Sequence, residues 1–284
     1  MTLLSRSEGL AQALPPLLAA AERLAQTVRL GGHGRRQAGA GDEFWQYRPA
    51  GSGDAARMID WRRSARSDGH VVRDREWQGA QSVTLWVDAG RSMTFTGDPA
   101  RGSKGDRAGL LALALAVLLL RGGERVALDG AAPRAGRGHA VALAAGLAGR
   151  AAQDHAVPDF GVLPAHGQAV MLSDFLGPLD GVTAALDRAV AQDVRGALVQ
   201  VLDPVEDAFP YDGRTLFESV SGHLRFETRE AGALRDRYLD RLAERRAELE
   251  VMARAAGWHL HAHHTGDAPQ PALLWLYRAI GRDM

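Results

Sequence analysis

Ser82-Val83-Thr84-Leu85-Trp86-Val87-Asp88-Ala89-Gly90-Arg91-Ser92-Met93 decides how the rest of the chain is read. From Ser82 to Val87 the residues are mostly apolar or β-branched, with no proline. That describes a strand buried on both faces, as in the middle of a parallel sheet. Asp88 then falls where the carboxyl end of the strand meets solvent. In open α/β sheets this edge is where ligands and metals bind. A carboxylate followed four residues later by the Ser92 hydroxyl, across a tight turn, is one way oxygen ligands hold a hard cation. The plainer reading is that the terminal aspartate of a buried strand caps the turn after it.

The pattern returns downstream. Residues 169–172 form a second apolar strand, and it too ends on an acid, at Ser173-Asp174. Adjacent parallel strands would bring Asp88 and Asp174 to one rim of the sheet. N-capping of a following helix by Asp174 is the alternative. Residues 109–120 read as an apolar helix with Ser103 as N-cap and Gly122-Gly123 as stop. Strands follow at 124–128, turning at Asp129-Gly130 into a short return near Pro133, and at 197–202 and 258–263. Helices are expected at 138–152, 181–192, 231–256 and 272–280, with a hairpin at 222–228. In the long helix Leu234, Tyr238, Leu242 and Leu249 line one face.

This alternation predicts an α/β fold: a doubly wound, mostly parallel sheet of the Rossmann type over residues 81–284. In front of it stand a helical segment at 1–28, split at Pro15-Pro16, and a Gly- and Arg-rich arm at 29–80.

Composition narrows the chemistry. The chain has 284 residues, 46% of them hydrophobic, and a formal net charge of zero, so no global field draws it to nucleic acid or membrane. There is no cysteine, which excludes disulfides, thiolate zinc sites and cysteine nucleophiles. Lys104 is the only lysine; with the abundant Ala and Gly, this reads as codon bias. Residues 1–28 carry Glu8 and Glu22 and lack the positive start of a signal peptide. No stretch reaches the roughly 20 apolar residues of a membrane span. A cytoplasmic protein without direct membrane insertion is the expectation.

Three motifs in the arm fail on inspection. Gly34-Arg35-Arg36-Gln37-Ala38-Gly39 has the glycine spacing of a phosphate-binding loop but continues Ala40-Gly41, with no strand before it. Ala40-Gly41-Asp42-Glu43-Phe44 has letters of the diguanylate cyclase signature without the preceding strands that signature needs. Arg57, Arg62, Arg63, Arg66, Arg73 and Arg75 could track phosphates, but Asp54, Asp60, Asp68, Asp74 and Glu76 are interleaved. Mixed signs at this density describe an ion-pair network, so no nucleic-acid partner is expected.

The same arm carries a resemblance. Gly39-x-Gly41-x-Glu43-Phe44, then Tyr47-Arg48, Gly53-Asp54, Arg57, Ile59-Asp60-Trp61 and Ala65-Arg66 resemble the signature of domain-of-unknown-function family 58. Looser matches at the Asp88 loop, Ser103-Lys104, residues 123–126 and Ser173-Asp174-Phe175 extend it over most of the chain. Members of that family resemble von Willebrand factor A domains and are typically encoded beside a MoxR-type AAA+ ATPase. The resemblance therefore implies a von Willebrand factor A-like fold and a degenerate metal-ion-dependent adhesion site at Asp88, Ser92 and Asp174. Gly90 stands where such sites place a second hydroxyl, and residues 129–142 contain no Thr or Ser to supply another. The site would hold no metal, or weakly bound Mg²⁺ with water replacing both lost ligands.

Read physically, Trp61 and Ile59 would bury and anchor the segment, with Asp54 and Asp60 holding Arg57 and Arg66. Gly53, Asp54, Arg57, Asp60, Trp61 and Arg66 are then either a structural staple or a docking surface. The last strand sets His259, His261 and His263 on one face, an alternative metal site. The expected function is a non-enzymatic adaptor or co-chaperone working with a MoxR-type ATPase on a protein client. The alternative is a metal-dependent hydrolase using Asp88 and Asp174. The Asp88–Gly90 step lacks the Asp-x-Asp of aspartyl-phosphate chemistry.

Overall fold

The computed structural model describes residues 16–28, 35–39, 43–51, 59–66, 70–154, 156–161, 163–218 and 225–281. The chain opens with α1 (Pro16–Gln26), β1 (Arg35–Gly39), β2 (Glu43–Pro49), α2 (Trp61–Ser64) and β3 (Val71–Gly79). It continues through β4 (Ser82–Val87), α3 (Lys104–Arg121), β5 (Arg125–Leu128), α4 (His139–Ala148) and β6 (Gln168–Ser173). Then come α5 (Asp180–Val190), β7 (Arg195–Leu202), α6 (Pro204–Ala208), β8 (Thr215–Glu218) and β9 (Arg225–Thr228). The last elements are α7 (Arg235–Ala255), β10 (His259–His264) and α8 (Pro269–Ala279).

The central sheet has five strands in the order β10-β7-β6-β4-β5, every pair parallel. From β4 the chain steps outward to β5, then returns past β4 to β6 and proceeds the other way. The reversal lies between β4 and β6, where Val87 pairs with Leu172 and the Asp88 N–H donates to the Leu172 carbonyl at 2.8 Å. At such a switch point the loops after the two strands diverge and leave a crevice at the carboxyl edge.

Alternate residues of these strands feed two cores. Val83, Leu85, Val87, Val170, Leu172, Val199 and Val201 pack against α1, α3, α4 and α8. Trp86, Ala169, Met171 and Leu198 pack on the opposite side with Phe160, Phe175, α5 and the Leu249–Ala253 stretch of α7. Helices on both faces of a parallel sheet make this an α/β fold. At its centre, α3 is buried almost all round between the sheet and three other helices. Its start is fixed by a capping box between Ser103 and Asp106, and the chain turns away at Gly123 with φ +85°.

The helix expected after the Pro15-Pro16 break is α1, and Leu18, Ala21, Leu24 and Ala25 bury it in the same core as α3. The part expected before Pro15 lies outside the described residues. Two expectations need correction. Residues 29–80 contain a three-stranded antiparallel sheet, order β1-β3-β2, with an irregularity between Phe44 and Gln46. Apolar runs were the strand signal, and Arg73-Asp74-Arg75-Glu76 carries none; an antiparallel ladder does not require one. The expected hairpin is formed by β8 and β9, pairing Thr215 with Thr228 and Glu218 with Arg225. The return from β5 is a single antiparallel bridge between Val126 and Arg134. No helix among the described residues is long and apolar enough to cross a membrane.

Candidate functional site at the carboxyl rim

Four neighbouring core strands each run directly into an aspartate: β5 into Asp129, β4 into Asp88, β6 into Asp174 and β7 into Asp203. Each is tied to specific partners. Asp88 Oδ1 accepts the Gly90 N–H at 2.6 Å and its Oδ2 accepts the Ser173 hydroxyl at 2.5 Å. Burial raises the Asp88 pKa, with the nearby Asp174 charge adding to it, while both hydrogen bonds and Lys104 oppose the rise.

Asp174 is buried, 1% exposed. Its Oδ1 accepts the Leu176 N–H at 3.1 Å and its Oδ2 accepts the Lys104 ammonium at 2.8 Å. Its carbonyl accepts Gln200 Nε2 at 3.0 Å. Asp174 does not cap the next helix, which begins six residues later at Asp180. Phe175, at φ +52°, turns the chain away in a left-handed conformation held by its burial against the Trp86 core.

Lys104 is the first residue of α3 and is 1% exposed. Its ammonium also donates to Glu206 Oε1 at 2.6 Å. Burial alone would lower its pKa, but Asp174 and Glu206 hold it above that of an ordinary lysine, so it stays charged. Glu206 belongs to α6, where Asp203 and Glu206 form a reciprocal capping box. Asp203 further accepts the Gly97 N–H at 3.1 Å, the Thr265 hydroxyl at 3.0 Å and Arg101 Nη2 at 3.3 Å. At the other end of the rim, Arg150 donates to Asp129 and to the Val87 carbonyl. A cleft of about 390 Å³ opens beside Asp88, lined by Leu17, Gly90, Met93, Ser103 and Leu147 among others.

The structure thus places Asp88 and Asp174 on one rim, with the hydroxyl of Ser173, the residue before Asp174, donating to Asp88 and accepting the Phe175 N–H. Ser92 lies half-buried in the Arg91–Thr94 turn. These donors do not fit Mg²⁺. Both oxygens of Asp88 and both of Asp174 already accept hydrogen bonds, and an ammonium sits against Asp174. A side chain at position 90 would meet Asp88 Oδ1 at 2.8 Å, so the present turn leaves no room for a hydroxyl ligand there. Near-ideal octahedral coordination is not available from this set.

The three strand histidines do not converge on a common point. His259 is exposed, His261 stacks on Trp275 at 4.6 Å between centroids, and His263 lies buried with Nε2 2.9 Å from Arg107 Nη1. A guanidinium in that position competes with any metal for the ring nitrogen. Burial, reinforced by Arg107, lowers the His263 pKa to about 4. Among the described residues no group of three or more His, Cys, Asp or Glu side chains is placed to hold a metal ion.

Of the arm signature, Gly53, Asp54 and Arg57 lie outside the described residues. Asp60 caps α2, accepting the Arg63 N–H at 3.0 Å, and Arg66 is exposed. Trp61 is not the buried anchor expected: it is 56% exposed and meets His70 edge to face at 5.3 Å. Sequence reading passed over Lys104, Ser173, Arg150 and Glu206 as parts of the rim. Asp203-Pro204-Val205-Glu206 carried a readable helix-start signal, with an acid, Pro at the first helical position and Glu three residues on.

Comparison with known proteins gives relatives that are themselves uncharacterized. Over 267 residues the chain is 28% identical to uncharacterized proteins of Mycobacterium tuberculosis (Rv1480) and Mycobacterium bovis (Mb1516), spanning 86% of this chain and 83% of theirs. Among solved structures, the conserved hypothetical protein BatB from Bacteroides thetaiotaomicron matches with a TM-score of 0.43 and 12% identity. An aerotolerance-related membrane protein from Bacteroides fragilis matches with a TM-score of 0.40 and 14% identity. Each covers 72% of this chain and 100% of its own. The family model described as protein of unknown function DUF58 matches residues 46–248, and the chain belongs to that family.

Proposed function

We propose that this chain is a non-enzymatic protein-binding module that presents the carboxyl rim of its sheet to a partner, as a von Willebrand factor A-like adaptor. The observation that supports this is the engagement of the rim acids. Asp129, Asp88, Asp174 and Asp203 are each held by fixed donors, which makes a rigid polar frame beside an open cleft. A hydrolase working through Asp88 and Asp174 needs those oxygens for a metal or a proton, and here they are committed to Ser173, Lys104 and backbone N–H groups. The resemblance read from the arm points to a MoxR-type AAA+ ATPase as the partner, and the cytoplasm expected from the sequence is the place of work we propose.

The test is binding of the purified chain to an immobilised MoxR-type ATPase, with ATP and with ADP. Thr94 is exposed and lines the cleft, so Thr94→Arg should abolish binding. Arg254→Glu, on the exposed side of α7, should leave it intact. Unchanged binding by Thr94→Arg removes the rim from the interface. No binding by the wild-type chain removes the ATPase.

A further inference from the structure

We propose that the cleft beside Asp88 is an anchor pocket for one aromatic side chain of a protein partner, with a basic residue of that partner held next to it at an acidic mouth. The identity of the occupant as a protein rests on the adaptor reading; the pocket itself does not.

The cleft measures about 390 Å³, at the lower end of the range for ligand pockets, about 300–1,000 Å³. That is room for a ring and part of the chain that carries it. Its apolar wall is shared by Leu17 of α1, Met93 of the turn after β4, Gly109 of α3 and Leu147 of α4. Met93 is buried, while Leu17 and Leu147 are half-buried. A thioether in such a wall adapts to the shape that enters and makes favourable contacts with aromatic rings.

Gly109 sets this cleft apart. It lies inside α3, between Ala108 and Leu110, where glycine is disfavoured relative to alanine. Two glycines of this helix line the cleft, and they differ. A β-carbon at Gly105 would meet the Met93 carbonyl oxygen at 3.2 Å, so that glycine lets α3 approach the turn after β4. A β-carbon at Gly109 would meet nothing among the described residues nearer than Leu17, at 3.9 Å, an ordinary contact. Packing within the chain therefore does not ask for glycine at 109. What the missing side chain provides is cleft volume and bare backbone for a flat ring to lie against.

The mouth supplies the charge. Asp106 is exposed, and its capping bonds with Ser103 use Oδ2 alone. Asp88 lines the same cleft. Arg150 lines it too, but its charge is matched by Asp129, and that of Lys104 by Asp174 and Glu206. The charge left over is negative, which a lysine or arginine of the partner complements. Aromatic and basic anchors seated in a pocket are the residues that dominate protein interfaces.

Two small probes test the pocket on the chain alone. The first, 2-phenylethylammonium, carries ring and cation in one molecule; the second, 3-phenylpropionate, carries the same ring and a carboxylate. Entry is read from the NMR signal of the Met93 ε-methyl group, assigned with Met93→Leu. The amine should shift that signal saturably with a Kd on the order of 1 mM, as suits a ligand of its size. The acid should bind about tenfold or more weakly. Gly109→Leu should abolish amine binding. Gly109→Ala should melt above the wild type and bind the amine more weakly, which decides the matter if the leucine variant does not fold. Equal binding of the two probes, no saturable shift with the amine, or undiminished amine binding by Gly109→Ala overturns the proposal.

Capture by the MoxR-type ATPase tells failure of the pocket from failure of the adaptor reading. Loss of capture by Gly109→Leu supports the anchor, and full capture by a Gly109→Leu chain that no longer takes the amine overturns it. Amine binding without any capture supports the pocket and removes that ATPase. A concentration-dependent dimer in sedimentation, abolished by Gly109→Leu, seats a second copy in the cleft and overturns the assignment to a partner.

Discussion

The hydroxyl of Ser173 donates to Asp88 across 2.5 Å, tying the end of β6 to the end of β4 where the strand order reverses. This hydrogen bond offsets part of the burial that raises the Asp88 pKa. Ser173→Ala should therefore push that pKa higher and destabilise the fold by about 1.5–3 kcal/mol at neutral pH, the range for a hydrogen bond to a charged group. An acid with a raised folded pKa costs stability as it ionises, so the loss should shrink toward acid pH. Urea melts at neutral and acid pH check this; an equal loss at both means the hydroxyl does not serve the Asp88 charge.

Lys104 and Asp174 form a buried pair, and breaking such a pair from either side leaves an uncompensated charge. Lys104→Met and Asp174→Asn should each cost about 3–5 kcal/mol. The double variant should cost clearly less than their sum, because the second change removes the charge stranded by the first. Denaturant unfolding of the four proteins gives the coupling. Additivity within about 0.5 kcal/mol shows that the two groups do not interact energetically.

Glu124, 2% exposed at the entry to β5, accepts the Gln81 N–H, and burial raises its pKa from 4.5 to about 7. The folded state then holds a proton that the unfolded state has released, so stability falls as pH rises from 4.5 through about 7. Glu124→Gln keeps an acceptor for Gln81 and removes the titration. Its stability relative to the wild type should improve steadily across that window and level off above it. A difference that stays flat with pH places the ionised carboxylate in a less costly setting than its burial indicates.

How much of this was legible beforehand depends on what kind of signal each part carries. Val83–Val87 and 169–172 are buried on both faces, so an unbroken apolar run marks them, and the aspartates that end them mark the rim. Ser103 and Gly122-Gly123 gave the ends of α3 through local chemistry that tertiary contacts do not alter. Lys104 was hidden because its role depends on Asp174, 70 residues away, and Glu206, 102 residues away. Trp61 was misplaced because an aromatic residue between apolar and charged neighbours suggests burial, and only tertiary packing decides whether something covers it. The strands β1–β3 escaped because their backbone pairing left no hydrophobic period to read.

Trp61 supports a prediction of its own. At 56% exposure, with His70 as its ring neighbour, it contributes little apolar burial. Trp61→Ala should change unfolding stability by no more than about 0.5 kcal/mol, as for surface substitutions away from special features. Exposed tryptophans in an interface are frequent hot spots, so an assay that detects a partner should register the loss while the melting curve does not. A large destabilisation would restore the structural staple.

His263 contributes to the acid sensitivity of the fold. Its ring is 3% exposed, lies 2.9 Å from Arg107 and has its pKa lowered from 6.5 to about 4 by burial first and by that guanidinium second. Between those values the unfolded chain takes up a proton that the folded one refuses. Stability present above pH 6.5 is therefore lost as pH falls toward about 4, by on the order of 3 kcal/mol. Arg107 also donates to the carbonyls of Thr265 and Asp267, so protonating the ring strains the stitch between α3 and the loop after β10. His263→Gln retains an acceptor for Arg107 without a titrating group, and its melting temperature should fall less than that of the wild type between pH 6.5 and about 4. The carboxylates titrating in the same range are common to both proteins and cancel in the comparison. Parallel acid limbs for the two would show that the ring of His263 accepts its proton without penalty, and that Arg107 is not held against it in solution.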